Sequence, residues 1–399
     1  MPRFDDEVFY ATIRELHERL RRREFSAKEL IEAFCDRLER YGPIYRALAL
    51  SLRRPALERA GSLDDELRRD RIRGPLHGVP CGVKDLISVA GFPTTWGARP
   101  YLNQVFPYDA TVVSRLRGAG AVIIGKLTMI ELAGAGGYGY PSASVHGAGL
   151  NPWDLNRWAG GSSTGSASAV AAGLVTFAIG SETSGSILTP SAYCGVTGLR
   201  PTHGYVSRYG CMPLAWTMDK IGPICRSADD CGLVLQAISG GDPNDPGSAG
   251  RRFYYNPQFV RPFKDLTLGY APVDFDEWAA ERCRAALRQA LEVLLSLGFK
   301  VREVELPDLP YGETASIIIH AEGSAAFEEL IRTGRVDQLD DAEQIAGLKA
   351  GLEIPAADYL RAMRVRRLIQ QQLKQLFYEV DVLVSPTRFD IAPLVTEPL

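Results

Sequence analysis

Much of what this sequence could do is excluded by what it lacks. Its seven cysteines (Cys35, Cys81, Cys194, Cys211, Cys225, Cys231 and Cys283) are scattered, odd in number and include no C-x-x-C pair. Free thiols in a reducing cytoplasm are therefore expected, rather than a disulfide framework or a zinc site. No window reaches the roughly 18 uninterrupted apolar residues of a membrane span. The start M-P-R-F-D-D-E-V-F-Y is acidic and lacks the basic region and apolar run of a secretory signal. An excess of basic residues is missing as well: the net charge is -3, which gives a nucleic acid partner no footing. Histidine is scarce, and His17, His77, His146, His203 and His320 each stand alone, outside any motif that would make a general base. No Gly-Lys-Ser/Thr follows a glycine loop, no internal repeat is visible, and no tract is of low complexity. The expectation is a cytoplasmic monomer or homodimer that handles a small molecule, with no membrane, no nucleic acid and no metal.

What is present is ordinary for a globular chain: 399 residues, 46% hydrophobic and 23% charged, long enough for a large core. Residues 5–23 read as one amphipathic helix with Val8, Ile13, Leu16 and Leu20 on a face. Ser26-Ala-Lys-Glu29 is a capping box that opens a second helix, with Leu30, Ile31, Phe34 and Leu38 inward. A short strand at 47–52 and a helix over 56–69 follow. Leu76-His-Gly-Val-Pro-Cys-Gly-Val-Lys-Asp85 is an apolar strand carrying a lysine near its end.

Helix 110–116, strand 121–125 and a helix from Thr128 give the alternation of an α/β unit. The loop 134–149 is poor in charge, as loops lining a site often are. A small-residue helix at 164–173, a buried strand at 175–179 and a helix at 186–194 come next. Ser227-Ala-Asp-Asp230 caps a helix through about 238. The stretch G-G-D-P-N-D-P-G-S-A-G at 240–250 is linker-like. Beyond it, strands are expected at 266–270, 300–305 and 380–384, and helices at 277–297, 313–334 and 355–378.

Chemistry is expected between Trp158 and Pro190, where small-residue loops stand at both ends of an apolar segment, as they do where backbones approach each other or a ligand. Three features ask for a joint explanation: Lys84 at the end of its apolar strand, Ser162 in Gly-Gly-Ser-Ser, and Ser186 in Thr-Ser-Gly-Ser at a strand-to-helix turn. A serine hydroxyl is a weak nucleophile at neutral pH and needs a base within hydrogen-bond reach. With no histidine at hand, a lysine serves if burial lowers its pKa enough to populate the neutral amine. The turn 183–186 would present successive backbone N–H groups at a helix start, suited to an oxyanion. Spacing alone leaves open a second reading of 160–163, as a flexible loop or a phosphate cradle.

The stretches G-V-P-C-G-V-K-D (78–85), W-A-G-G-S-S-T-G-S-A-S-A-V-A-A-G (158–173), G-S-E-T-S-G-S-I (180–187), C-G-V-T-G-L-R-P-T-H-G-Y-V-S-R-Y-G (194–210) and M-D-K-I-G-P-I-C-R-S (218–227) closely resemble the amidase signature family. The resemblance is strong over most of residues 1–240 and weaker beyond, with the signature core at about 76–230. It implies an α/β fold in a single domain over 1–399, with a large mixed, twisted β-sheet covered by helices on both faces.

It also implies a Ser–cisSer–Lys triad. Ser186 would be the nucleophile, and Ser162, preceded by a cis peptide bond, would relay its proton to Lys84. The oxyanion hole would come from the backbone of Thr183, Ser184, Gly185 and Ser186, while Ser163 would support Lys84 by hydrogen bonding. Serines and lysine supply nucleophile and base, so no cofactor is implied. The activity implied is cleavage of a C–N acyl bond, with ester and carbamate (urethane) turnover open to the same acyl-enzyme chemistry.

Departures from the family pattern shape the substrate expectation. Many members read G-G-S-I-R where this chain has Ser184-Gly-Ser-Ile-Leu188. The tRNA amidotransferase subunit that hydrolyses glutamine keeps the arginine, so that assignment stands as the alternative. Gly136, Gly137, Tyr138 and Trp216 are the expected substrate contacts; with Tyr140 and Met218 they favour a bulky or aryl group. A non-catalytic binding protein on the same fold is the remaining alternative. The chain stops at Leu399, just after D-V-L-V-S-P-T, where relatives continue, so 260–399 is expected to be shorter than in them.

Overall fold

The structure, a computed structural model, describes residues 4–257 and 261–399. The first amphipathic segment is two helices, α1 (Asp6–Tyr10) and α2 (Ile13–Arg21), not one. Thr12 breaks it: its hydroxyl accepts from the Glu15 N–H, and the Glu15 carboxylate accepts from the Thr12 N–H at 2.7 Å. T-I-R-E is thus a capping box like the S-A-K-E that opens α3 (Ala27–Tyr41), and the hydrophobic period running across it concealed the break.

The chain continues through β1 (Leu48–Ser51), α4 (Arg53–Arg68), β2 (Pro80–Lys84), α5 (Thr111–Gly118) and β3 (Val122–Leu127). The helix expected from Thr128 does not form. The Thr128 hydroxyl donates to the Arg46 carbonyl at 2.7 Å and the Ile130 N–H to the Ser162 carbonyl at 3.1 Å, so tertiary partners hold the segment extended before a short 3-10 turn at Glu131–Gly134. Then come β4 (Leu150–Asn151), β5 (Asp154–Trp158), α6 (Thr164–Ala171), β6 (Phe177–Glu182), α7 (Leu188–Cys194), β7 (Thr197–Gly198), β8 (Lys220–Cys225) and α8 (Ala228–Ile238). The last part holds β9 (Thr267–Tyr270), α9 (Pro272–Asp276), α10 (Glu281–Ser296), β10 (Lys300–Glu303), α11 (Tyr311–Ala326), α12 (Glu328–Arg332), α13 (Ala342–Gly351), α14 (Ala356–Leu376) and β11 (Val382–Val384). The expected helix 277–297 begins only at Glu281, after an extended Ala280, and the expected helix 313–334 is divided into α11 and α12.

The main sheet has six strands in the order β1-β3-β2-β6-β8-β7. Its centre, β3-β2-β6, is parallel, and β1, β8 and β7 join antiparallel, so the sheet is mixed. Every residue of β2, β3 and β6 is buried. That is why these strands read as continuous apolar runs: both faces are covered, and there is no solvent side to carry polar residues. Helix α6 packs on β2, β3 and β6, and α3 and α4 pack beside β3.

The chain divides into two compact units, Met1–Tyr255 with Glu322–Leu352 and Ala392–Leu399, and Asn256–Ala321 with Glu353–Ile391. The first contains the six-stranded sheet. The second has its own parallel three-stranded sheet, β10-β9-β11. The linker-like 240–250 lies within the first unit, as an excursion: Asp242 accepts from Thr111 and Ser207 hydroxyls, and Asp245 pairs with Arg208 at 2.8 Å.

Candidate active site

Lys84 closes β2 and is fully buried. Its Nζ lies 2.8 Å from Ser162 Oγ and 3.0 Å from Ser181 Oγ. Burial pulls its pKa down to about 7, against the opposing pull of the Asp219 and Glu182 carboxylates. Near neutral pH both the amine and the ammonium are therefore populated.

Ser162 is presented by a turn that glycine makes possible. Gly160 has φ +86°, and a Cβ there would lie 2.6 Å from Pro190 Cα. At Gly161 a Cβ would come 2.6 Å from the Trp158 ring. The Gly161–Ser162 peptide bond is cis. Helix α6 leaves the turn directly, buried along Thr164–Val170, so small residues alone fit.

Ser163 is not a direct partner of Lys84. Its hydroxyl donates to the Ser181 carbonyl at 3.2 Å and accepts from the Ser181 N–H, while its own N–H reaches the Ser186 carbonyl at 3.2 Å. The hydroxyl that supports Lys84 belongs to Ser181, one strand over. Ser163 instead ties the Ser162 turn to the Ser186 turn through the backbone.

Ser186 sits between β6 and α7, 9% exposed, and its hydroxyl has no hydrogen-bond partner among the described residues. The turn is anchored downstream by Glu182, a buried carboxylate that accepts the N–H groups of Ile187 at 2.9 Å and Leu188 at 3.0 Å. This satisfies donors at a helix start that has no side-chain cap from Ile187. Arg200 pairs with the other oxygen of Glu182 at 3.1 Å. Upstream, Thr183 Oγ1 donates to Asp219 at 2.6 Å, and Lys220 Nζ donates to the Thr183 carbonyl at 3.0 Å. Burial raises the Asp219 pKa, opposed by its bonds from Thr183, Leu214 and Ala215. Gly185 takes φ +86°, and Ser184 is exposed.

The expected substrate contacts are placed less uniformly. The position of Gly136 is explained by packing, since a Cβ there would lie 2.7 Å from backbone atoms of Gln344 and Leu348 in α13. Gly137, also at positive φ, faces open space. Tyr138 stands edge-on to Trp158, with centroids 6.2 Å apart, in a cluster with Ile130, Ala143, Tyr193 and Val395. Trp216 is 45% exposed, and its carbonyl accepts from Arg208 and His203.

Sequence reasoning missed Ser181, Glu182, Arg200, Asp219 and Lys220. For Glu182 a signal existed: a carboxylate at the end of an apolar strand, a few residues before a helix start without a cap. Among the described residues no histidine bonds to Lys84, Ser162, Ser181 or Ser186, and no helix is long and apolar enough to cross a membrane.

The amidase family profile matches residues 29–399. Among curated proteins, a glutamyl-tRNA(Gln) amidotransferase subunit of Gloeothece citriformis is 36% identical over 400 residues, spanning 94% of this chain and 82% of its own. Among solved structures, the peptide amidase of Stenotrophomonas maltophilia superposes with a TM-score of 0.84 at 33% identity, over 97% of this chain and 86% of that one. A structure described as an unexpected vestigial protein complex revealing the evolutionary origins of an s-triazine catabolic enzyme gives 0.89 at 32% identity, over 97% and 83%. On the span of the profile and the extent of these alignments, the chain belongs to the amidase signature family.

Proposed function

We propose that the chain cleaves a C–N acyl bond through an acyl-enzyme on Ser186. The observation that carries this reading is the contact of the Lys84 amine, with its pKa near 7, to the Ser162 hydroxyl at 2.8 Å. A neutral amine there takes the Ser162 proton as Ser162 takes that of Ser186, and the Ser186 oxygen attacks the substrate carbonyl. Backbone N–H groups of the 183–186 turn meet the oxyanion. The relay then returns a proton to the leaving amine, and water, activated the same way, hydrolyses the ester.

On the substrate, the relatives' names reverse the order of preference drawn from sequence alone. The curated relatives, among them those of Gloeothece citriformis and Carboxydothermus hydrogenoformans at 36% identity, are named as amidotransferase subunits. Their naming supports glutamine as the amide, with the ammonia passing to a partner protein. The second reading, a bulky or aryl amide, urethane or ester hydrolysed without a partner, rests on Leu188 in place of the arginine and on the exposed Trp216.

Ammonia release from glutamine and turnover of a panel of aryl amides, carbamates and esters, measured on wild type and Ser186→Ala, test both. Glutaminase activity that rises on adding the other components of an amidotransferase supports the first reading, and aryl amide or carbamate turnover by the chain alone supports the second. Turnover that survives Ser186→Ala rejects the mechanism, and a wild type that a fluorophosphonate fails to label at Ser186 points to a binding protein.

A further inference from the structure

The next step rests on reading 183–186 as the turn that receives an oxyanion, and asks what aims that turn. Asp219, just before β8, and Lys220, its first residue, both bind Thr183. Asp219 is buried, and its carboxylate accepts the Thr183 hydroxyl at 2.6 Å together with the N–H groups of Leu214 at 2.8 Å and Ala215 at 3.1 Å. Three donors hold that carboxylate in place. Lys220 stands directly across the sheet from Glu182, the last residue of β6, so its side chain reaches the first residue past the strand. There its Nζ donates to the Thr183 carbonyl at 3.0 Å.

A trans peptide is planar, with its C=O and the following N–H pointing in opposite directions. Whatever fixes the Thr183 carbonyl therefore fixes the direction of the Ser184 N–H. The other contacts of the turn lie past Ser184: the Thr189 N–H holds the Gly185 carbonyl at 2.7 Å, the Ser163 N–H the Ser186 carbonyl at 3.2 Å, and Glu182 the chain from Ile187 onward, while Ser184 is exposed. Thr183 is only partly buried, and a carbonyl that water can reach needs no lysine for its own satisfaction. A fixed cation offers constant direction, which water does not.

We propose that Lys220 is a positioning residue of the oxyanion turn: by holding the Thr183 carbonyl it aims the Ser184 N–H at the oxygen of a group bonding to Ser186. Asp219 assists by preventing Thr183 from rotating about its own backbone.

The test is the rate at which a fluorophosphonate labels Ser186, since that reaction also places an oxygen in the hole and needs no knowledge of the natural substrate. Lys220→Met should lower the maximal labelling rate about 10- to 100-fold, with the half-saturating probe concentration unchanged within about twofold. Lys220→Arg, which keeps a cationic donor, should recover most of that loss. The labelled fraction separates folding from aim. A reduced fraction that reacts at the wild-type rate assigns Lys220 to folding alone and overturns the proposal, as does a Lys220→Met protein labelled at full rate. A wild type that is not labelled at Ser186 overturns the underlying reading and this inference with it, whereas a labelled wild type with an indifferent Lys220 overturns only the inference.

Discussion

Two lysines lie fully buried on adjacent strands of the main sheet, Lys84 on β2 and Lys126 on β3, with Val83 paired to Lys126 and Lys84 to Leu127. Their surroundings differ in one respect. Lys126 Nζ donates to the Pro93 carbonyl at 2.8 Å and the Thr94 hydroxyl at 2.5 Å and forms an ion pair with the Asp85 carboxylate at 2.8 Å, so one of its neighbours is charged. Among the described residues, Lys84 Nζ meets only hydroxyls, those of Ser162 and Ser181. Burial lowers both pKa values, but at Lys126 the adjacent Asp85 pulls upward by charge and hydrogen bond, while at Lys84 the carboxylates act only from a distance. A buried lysine with a carboxylate partner is a structural cation. One that faces hydroxyls is, on the proposed mechanism, available as a base.

Asp85 follows Lys84 in sequence yet, from the turn just past β2, pairs with Lys126. The K-D dipeptide thus serves two sites at once.

The comparison can be broken from either side. On the proposed mechanism, Lys84→Met removes the base, and kcat/KM should fall by about three orders of magnitude with the far-UV circular dichroism unchanged. Asp85→Asn leaves Lys126 buried without a charged partner. Urea unfolding should show a loss of about 3–5 kcal/mol, smaller in the double variant with Lys126→Met, where no orphaned charge remains. Ser181→Asp gives Lys84 the kind of partner that Lys126 has. A carboxylate favours the ammonium, so activity at pH 7 should drop by about tenfold and return as pH rises toward 9. Ser181→Ala, which removes one hydroxyl and adds no charge, should change kcat only a few-fold. Its pH profile separates it from Ser181→Asp.

The two sets of roles were unequally legible in the sequence. Lys84, Ser162 and Ser186 stand out because each lies in a local motif whose composition is odd for its setting: a cation in an apolar strand, or serines among glycines where backbones crowd. Ser181 did not stand out, since its contact with Lys84 depends on how β2 and β6 lie side by side, a non-local fact with no local signature. Ser163, which the family resemblance sets beside Lys84, turns its hydroxyl to the Ser181 backbone for the same reason.

In the fold, the α/β alternation and the buried strands were readable from period and apolar runs. The break at Thr12 was written in a capping box that the longer hydrophobic period obscured. The missing helix after Thr128 was not readable at all, because partners more than thirty positions away in the chain, at Arg46 and Ser162, hold that segment extended.

The most direct test of the account is the pH dependence of kcat/KM in the wild-type protein, on whichever amide or ester it turns over fastest. If the neutral Lys84 amine is the base, activity is low when the group is protonated, rises as pH passes through about 7, and reaches a plateau above it. A profile that stays flat from pH 5 to 9, or one that climbs only near pH 10 where an unperturbed lysine titrates, would contradict it.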